Sequence, residues 1–249
     1  MAETPVALVT GANKGIGFEI AKGLAAHGYA VCLGSRNLDA GQSAASKIGK
    51  SALAVQLDVT DPMSIAATAD YIDSKFGRLD VLVNNAGISN VEPLGTPFDQ
   101  VLEKNKFNTA ALHDVRAVYD TNVFGVLSVT QAMLPLLRKS SAARIVNVSS
   151  GAGSLTSHSN PDNQGRSKFG IYSASKTALN ALTLALAIEL EPEGIMVNAV
   201  CPGFTATDLN NFNGTKTPEE GARNPLAMAL AGPNGPTGTF STVYGVMPW

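Results

Sequence analysis

Val6-Ala7-Leu8-Val9-Thr10-Gly11-Ala12-Asn13-Lys14-Gly15-Ile16-Gly17 is the stretch that decides how this chain folds. Four apolar residues bounded by turn-formers read as a buried strand. A glycine-rich turn follows, and Ile16 to His27 then carries a helical pattern. Strand, tight turn and helix in that order open a parallel α/β unit. Glycine admits positive φ and lets a backbone approach a ligand closely. The helix N-terminus behind the turn offers unpaired N–H groups and a positive dipole end to a phosphate. The spacing is G-x-x-x-G-x-G, not G-x-G-x-x-G, so a plain strand–helix turn also fits it.

The same alternation continues outward. Ala30 to Leu33, Leu53 to Leu57, Leu79 to Val83, Arg144 to Val148 and Met196 to Val200 read as further strands. Asn37 to Ile48, Ser64 to Phe76, Val115 to Arg138 and Ile171 to Leu190 read as helices. Strands apolar on both faces and separated by helices predict a doubly wound, Rossmann-type parallel sheet, an α/β fold. With 249 residues, 45% of them hydrophobic, the chain suits a single domain over 1–249. Three stretches break the pattern and are expected to form substrate loops, at about 88–114, 151–170 and 204–235. No strand is expected after Gly238. The stripe of Ala178, Leu182, Ala185, Leu186 and Ile188 is expected to face the core.

Composition excludes several functions. The 18 basic and 20 acidic residues leave a net charge of −2, with no basic run, which argues against nucleic acid as a partner. Cys32 and Cys201 fit no metal or disulfide spacing, so no metal is expected and a reducing, cytoplasmic setting is. Met1 to Pro5 has no positive leader, and the apolar run Ala178 to Ile188 is too short for a membrane span.

The strand ends suggest which ligand the glycine turn would take. An acid at the end of the second strand would hold a ribose 2′-hydroxyl, whereas Arg suits a 2′-phosphate. Here Ser35 is followed by Arg36, and Lys14 adds a second positive charge, so NADP(H) is favoured over NAD(H). A solvated surface arginine is the plain alternative. Asp58-Val59 ends the third strand, where a carboxylate could accept from an adenine amino group; a turn cap explains it equally well. Asn84-Asn85-Ala86-Gly87 ends the fourth, with amides to fix a loop and a glycine to admit a cofactor.

Tyr172 and Lys176 are four apart on a predicted helix and so share a face. An ammonium beside a phenol stabilises the phenolate and lowers its pKa. Such a pair alone is common; Ser149 and Ser150 at the end of the fifth strand and Asn122 in the preceding helix give it context.

Thr10 to Gly17, Asn84 to Gly87, Asn122, Ser150, the Tyr172/Lys176 pair and Pro202-Gly203 together resemble the short-chain dehydrogenase/reductase family, over about residues 5 to 210. The resemblance implies that Ser150 hydrogen-bonds a substrate carbonyl and that Tyr172 gives or takes the proton. It implies that Lys176 binds the nicotinamide ribose and lowers the tyrosine pKa, and that Asn122 holds a water in a proton relay. Cofactor contacts would come from Gly11, Asn13, Lys14, Gly15, Ile16, Gly17, Arg36, Asp58, Val59, Asn85, Ala86, Gly87, Tyr172, Lys176, Pro202, Gly203, Thr205 and Thr207. The long interval from Ser150 to Tyr172, with Lys14 and Arg36, resembles the carbonyl-reductase branch, which includes monomers; monomer and homo-oligomer both stay open.

The expectation is therefore NADPH-dependent reduction of a small-molecule aldehyde, ketone or quinone. The alternatives are an NADP-dependent alcohol dehydrogenase running oxidatively and a non-catalytic NADP-binding sensor. His27, His113 and His158 make no ligand spacing, and Cys201 reads as a small buried hydrophobe.

Overall fold

The computed structural model describes residues 4–93 and 95–249. Its strands are β1 (Val6–Val9), β2 (Ala30–Ser35), β3 (Ala52–Gln56), β4 (Val81–Asn84), β5 (Arg144–Val148), β6 (Met196–Val200), β7 (Phe240–Thr242) and β8 (Gly245–Val246). They form one sheet in the order β3-β2-β1-β4-β5-β6-β7-β8, parallel except for the last pair. Leu8 lies opposite Cys32 on one side and Leu82 on the other. This is the expected Rossmann-type α/β sheet. The strand order reverses at β1, so a crevice opens between the carboxyl ends of β1 and β4.

Alternation along each strand builds two cores. Val6, Leu8, Leu82, Ile145 and Val197 face one side, with α3 (Pro62–Phe76), α6 (Gly125–Leu137) and α8 (Ile171–Leu190) packed on them. Ala7, Val9, Val83, Val146 and Val200 face the other, under α1 (Gly15–Ala26), α2 (Leu38–Ile48) and α9 (Pro218–Ala229). Helix starts follow side-chain caps: Asn37 accepts from the Ala40 N–H, and Asp61, followed by Pro62, from that of Met63.

Several expectations are corrected. The single helix expected over Val115 to Arg138 is three pieces: α5 (Leu112–Tyr119), a π turn (Asp120–Phe124) and α6. A Cβ on Gly125 would lie 2.8 Å from the Val59 carbonyl oxygen, so helix and β3 exit approach too closely for any side chain there. The 88–114 stretch contains α4 (Phe98–Lys104), and the 151–170 stretch α7 (Leu155–Ser159). The tail has strands after all: Phe240 pairs with Ala199 of β6 and is fully buried, with Trp249 stacked on it at 5.6 Å. The face of α8 in the core is Leu179, Leu186, Ala187 and Leu190, while Ile188 is 63% exposed.

Between sheet and helices runs a buried polar chain. Asn84 Nδ2 donates to Thr130 Oγ1 (3.1 Å) and Asn147 Oδ1 (2.9 Å), and Asn147 Nδ2 donates to Thr183 Oγ1 (2.9 Å). Asn147 thus joins β4, β5 and α8. Asn147→Ala is expected to lower unfolding stability by about 2 kcal/mol, because buried groups lose their partners. Urea denaturation checks this, with a lower midpoint and an unchanged m-value expected.

Candidate active site

The glycine turn is held by its neighbour across the crevice. Thr10 Oγ1 accepts from the N–H groups of Asn85 and Ala86, both at 2.9 Å. Asn85 Nδ2 returns bonds to the carbonyls of Thr10 (2.9 Å) and Gly11 (3.1 Å). Gly11 and Gly15 take φ of +62° and +58°, and a Cβ on Gly17 would lie 2.4 Å from Asn85 Nδ2. The turn is therefore built for glycine, and Asn85 fixes it instead of presenting its amide to the crevice. Lys14, at the N-cap of α1, has no side-chain acceptor, so the leading N–H groups of the helix stay open to an anion. Asn13 and Ile16 are half-buried beside it, and Arg36 is exposed beyond β2.

Two loops roof this crevice. Lys14 pairs with Asp208, and Thr207 Cγ2 lies 3.5 Å from where a Gly15 Cβ would sit. Ser89 Oγ donates to the Leu209 carbonyl (2.7 Å). Asn211 accepts from the Gly95 N–H (3.1 Å) and donates to the Thr96 carbonyl (2.8 Å). Thr205 is not turned into the crevice: it is buried against Gly221, and its Oγ1 donates to the Gly203 carbonyl. Asp58 Oδ1 accepts from the N–H and hydroxyl of Thr60, a local turn, and Val59 is buried against Gly125.

At the ends of β5 and β6 the remaining residues converge. Ser149 is buried and donates to Asn180 Oδ1 (2.6 Å), so it faces α8. Ser150, the next residue, lies on the phenol side, and its hydroxyl accepts from the Ala152 N–H (3.2 Å). Lys176 is buried, donates to the Val148 carbonyl (2.9 Å), and has Nζ 5.8 Å from the Tyr172 ring centroid. Gly87 leaves the space in front of it: a Cβ there would lie 3.6 Å from Lys176 Nζ and 3.1 Å from Asn122 Oδ1. Cys201 Sγ accepts from the Gly151 N–H at 3.0 Å, beside Pro202 and Gly203.

Two expectations change here. Burial pushes the Tyr172 phenol up to about 12, against a smaller lowering by the neighbouring Ser150 hydroxyl. Burial also brings Lys176 down to about 8. In the protein alone, desolvation outweighs the attraction that would lower the phenol. Asn122 also differs: Oδ1 accepts from the Ile88 N–H (2.9 Å), and Nδ2 donates to the Ile88 carbonyl (2.8 Å) and Ser175 Oγ (3.0 Å). Its side chain clamps the β4 exit to α8 through these bonds.

The 151–170 stretch carries an open hollow of about 470 Å³ lined by Leu155, Thr156, His158, Ser159, Arg166 and Phe169. His158 rests on the Phe169 ring, and burial lowers its pKa. Sequence reasoning does not single out Ser89, Asn105, Ser175, Asp208 or Asn211. No local pattern marks them, since their partners lie far along the chain.

A doubly wound sheet with a glycine turn at its switch point, a serine at a neighbouring strand end and a tyrosine and lysine on the helix beside it defines a class of oxidoreductases. A family model described as short chain dehydrogenase matches residues 5–217, and the chain belongs to that family. It is similar to (-)-isopiperitenone reductase of Mentha piperita, 36% identical over 94% of this chain and 95% of that protein. It is similar to Carbonyl reductase [NADPH] 1 of Mus musculus, 34% identical over 98% of each. The solved structure of salutaridine reductase from Papaver somniferum superposes with a TM-score of 0.79 at 32% identity, covering 95% of this chain and 99% of that one. No helix among the described residues is long and apolar enough to cross a membrane.

The buried ammonium has a thermodynamic signature. Between pH 8 and 10.5 the unfolded chain holds the Lys176 proton that the native protein has lost, so native stability rises with pH there. Lys176→Met is expected to raise Tm by several degrees at pH 7. The advantage should shrink from about pH 8 upward as wild type sheds its buried charge. Thermal melts of both proteins from pH 6 to 10 check it.

Proposed function

We propose that this chain is an NADP(H)-dependent reductase that converts an aldehyde, ketone or quinone to its alcohol within a single catalytic domain, 1–249. The observation that carries the reading is the convergence of Ser150, Tyr172 and Lys176 at the ends of β5 and α8, beside the β1/β4 crevice. The reductase names of the relatives support the direction, and one of them specifies NADPH. The buried, unpaired Cys32 and Cys201 support a cytoplasmic setting.

The open N-terminus of α1, with glycines at 11, 15 and 17, fits a dinucleotide pyrophosphate. Asn13 and Ile16 would line it, and Arg36 would meet a 2′-phosphate, with Lys14 adding positive charge. Asp58 and Val59 would border the adenine. Ala86, Gly87, Pro202, Gly203 and Thr207 would border the nicotinamide half, with Thr205 reaching it only through its backbone. When bound, the reduced cofactor supplies the hydride.

The protein's own residues do the rest. Ser150 Oγ donates to the substrate carbonyl oxygen and polarises it. Tyr172 delivers a proton to that oxygen as charge develops, a transfer favoured because an alkoxide is a stronger base than a phenolate. A phenol held protonated by burial is ready for this at neutral pH. Lys176 holds the ribose and, while charged, steadies the phenolate left behind. Asn122 acts by fixing the Ile88 loop against α8.

Tyr172→Phe is expected to cut kcat by roughly 10²–10⁴-fold, the usual worth of a general acid, and to leave NADPH affinity within about twofold. Steady-state assays across aldehydes, ketones and quinones, paired with fluorescence titration, check both. Near-full turnover would overturn the mechanism. Arg36→Asp is expected to weaken NADPH relative to NADH by roughly 10–100-fold, the scale of lost charge-assisted hydrogen bonds. Paired titrations with the two nucleotides test it, and an unchanged ratio removes Arg36 from cofactor selection.

A further inference from the structure

We infer that Asn105 is a positioning residue for the reaction, capping from a distance the helix that carries Tyr172. The inference deepens the reading above and rests on Tyr172 being the proton donor. Helix α8 begins at Ile171, and its own N-cap, Gly170, has no side chain to receive the leading N–H groups. Such groups have no partner within a helix. Here two go to one residue of the 88–114 segment. The Ile171 N–H donates to the Asn105 carbonyl at 2.9 Å, and the Tyr172 N–H donates to Asn105 Oδ1 at 3.2 Å.

Asn105 is itself held. Its backbone N–H donates to the Val101 carbonyl (3.0 Å), closing α4. Its Nδ2 donates to the carbonyls of Val101 (3.2 Å) and Ser89 (3.3 Å). The approach to α8 is tight: a Cβ on Gly170 would lie 2.3 Å from the Asn105 carbonyl oxygen, so glycine is needed there for the contact to form. Tyr172 is only the second residue of its helix, in the turn where helices fray most readily. A first turn left uncapped would let the phenol drift from Ser150 and take up water. The 88–114 segment therefore sets where α8 starts and, with it, the place of the phenol. Through Ser89, whose hydroxyl bonds the Leu209 carbonyl, the same cap is tied to the crevice roof.

The test compares wild type with Asn105→Ala, Asn105→Asp and Gly170→Ala. In Asn105→Ala, amide exchange at Tyr172 should quicken at least tenfold, while the Ile171 amide, bonded to a backbone carbonyl, stays protected. The Tyr172 phenol, read by ultraviolet difference against a matching Tyr172→Phe background, should ionise below about 12, toward its ordinary 10.0. With NADPH and menadione as probes, kcat per active site should fall about tenfold and NADPH affinity should hold. Asn105→Asp keeps the acceptor oxygen but loses the Nδ2 bonds to Val101 and Ser89, so it should restore exchange protection only in part. Gly170→Ala, which leaves Asn105 in place but wedges the contact apart, should reproduce the defect and serves if Asn105→Ala does not fold. Wild-type exchange at Tyr172 with an unmoved phenol midpoint in Asn105→Ala would overturn the inference. Exchange and phenol titration need no turnover. A chain that reduces no carbonyl would therefore sink the functional reading while leaving the cap itself measured.

Discussion

The structure depends on one requirement: α8 buries a polar face against the sheet. Ser173, Ser175, Lys176, Asn180 and Thr183 are all buried on this helix. A buried polar group without a partner costs more than a hydrogen bond gains, so each dictates something elsewhere. Thr183 takes Asn147, Asn180 takes Ser149, Ser175 takes Asn122, and Lys176 takes the Val148 carbonyl. These pairings fix the register of α8 on β5 and bring Tyr172 to Ser150. The reactive geometry is thus a by-product of satisfying the helix. The ammonium is the least comfortable member, and its lowered pKa is the mark of that.

The glycine turn solves the complementary problem of keeping space open. Its glycines have no side chains to brace it, so Thr10 at its start bonds the Asn85 N–H, and Asn85 from across the crevice returns bonds to the turn's carbonyls. Gly17 and Gly125 play the same part at helix–strand approaches, where any Cβ would meet backbone or a fixed amide. Open volume at the carboxyl ends of β1 and β4 is maintained by rigid neighbours rather than by the turn itself.

What the sequence discloses is what nearest neighbours encode. Strands β1, β5 and β6 and helix α8 are readable to the residue because their ends carry turn-formers. Gly11 to Gly17, Ser150, Tyr172 and Lys176 are readable because their types recur in a set order. The π turn is not, since it follows from the closeness of Gly125 to Val59, a contact outside its own helix. Strand β7 is hidden by its length of three residues, and α9 by Pro218, Gly221 and Pro225, although the capping box of Thr217 and Glu220 marks its start. Asn105 and Asn211 are silent because their partners lie 67 and about 115 residues away. The raised phenol was beyond reach for a different reason: two opposing effects meet there, and only burial decides between them.

The roof over the crevice has a consequence for how the protein assembles. Its bonds join Ser89 to Leu209, Gly95 to Asn211 and Thr96 to Asn211, across separations of 120, 116 and 115 residues. Chain entropy resists such closures until both anchoring strands are docked. The roof is therefore among the last parts to form after synthesis. A newly made molecule has its complete sheet before it has a covered crevice.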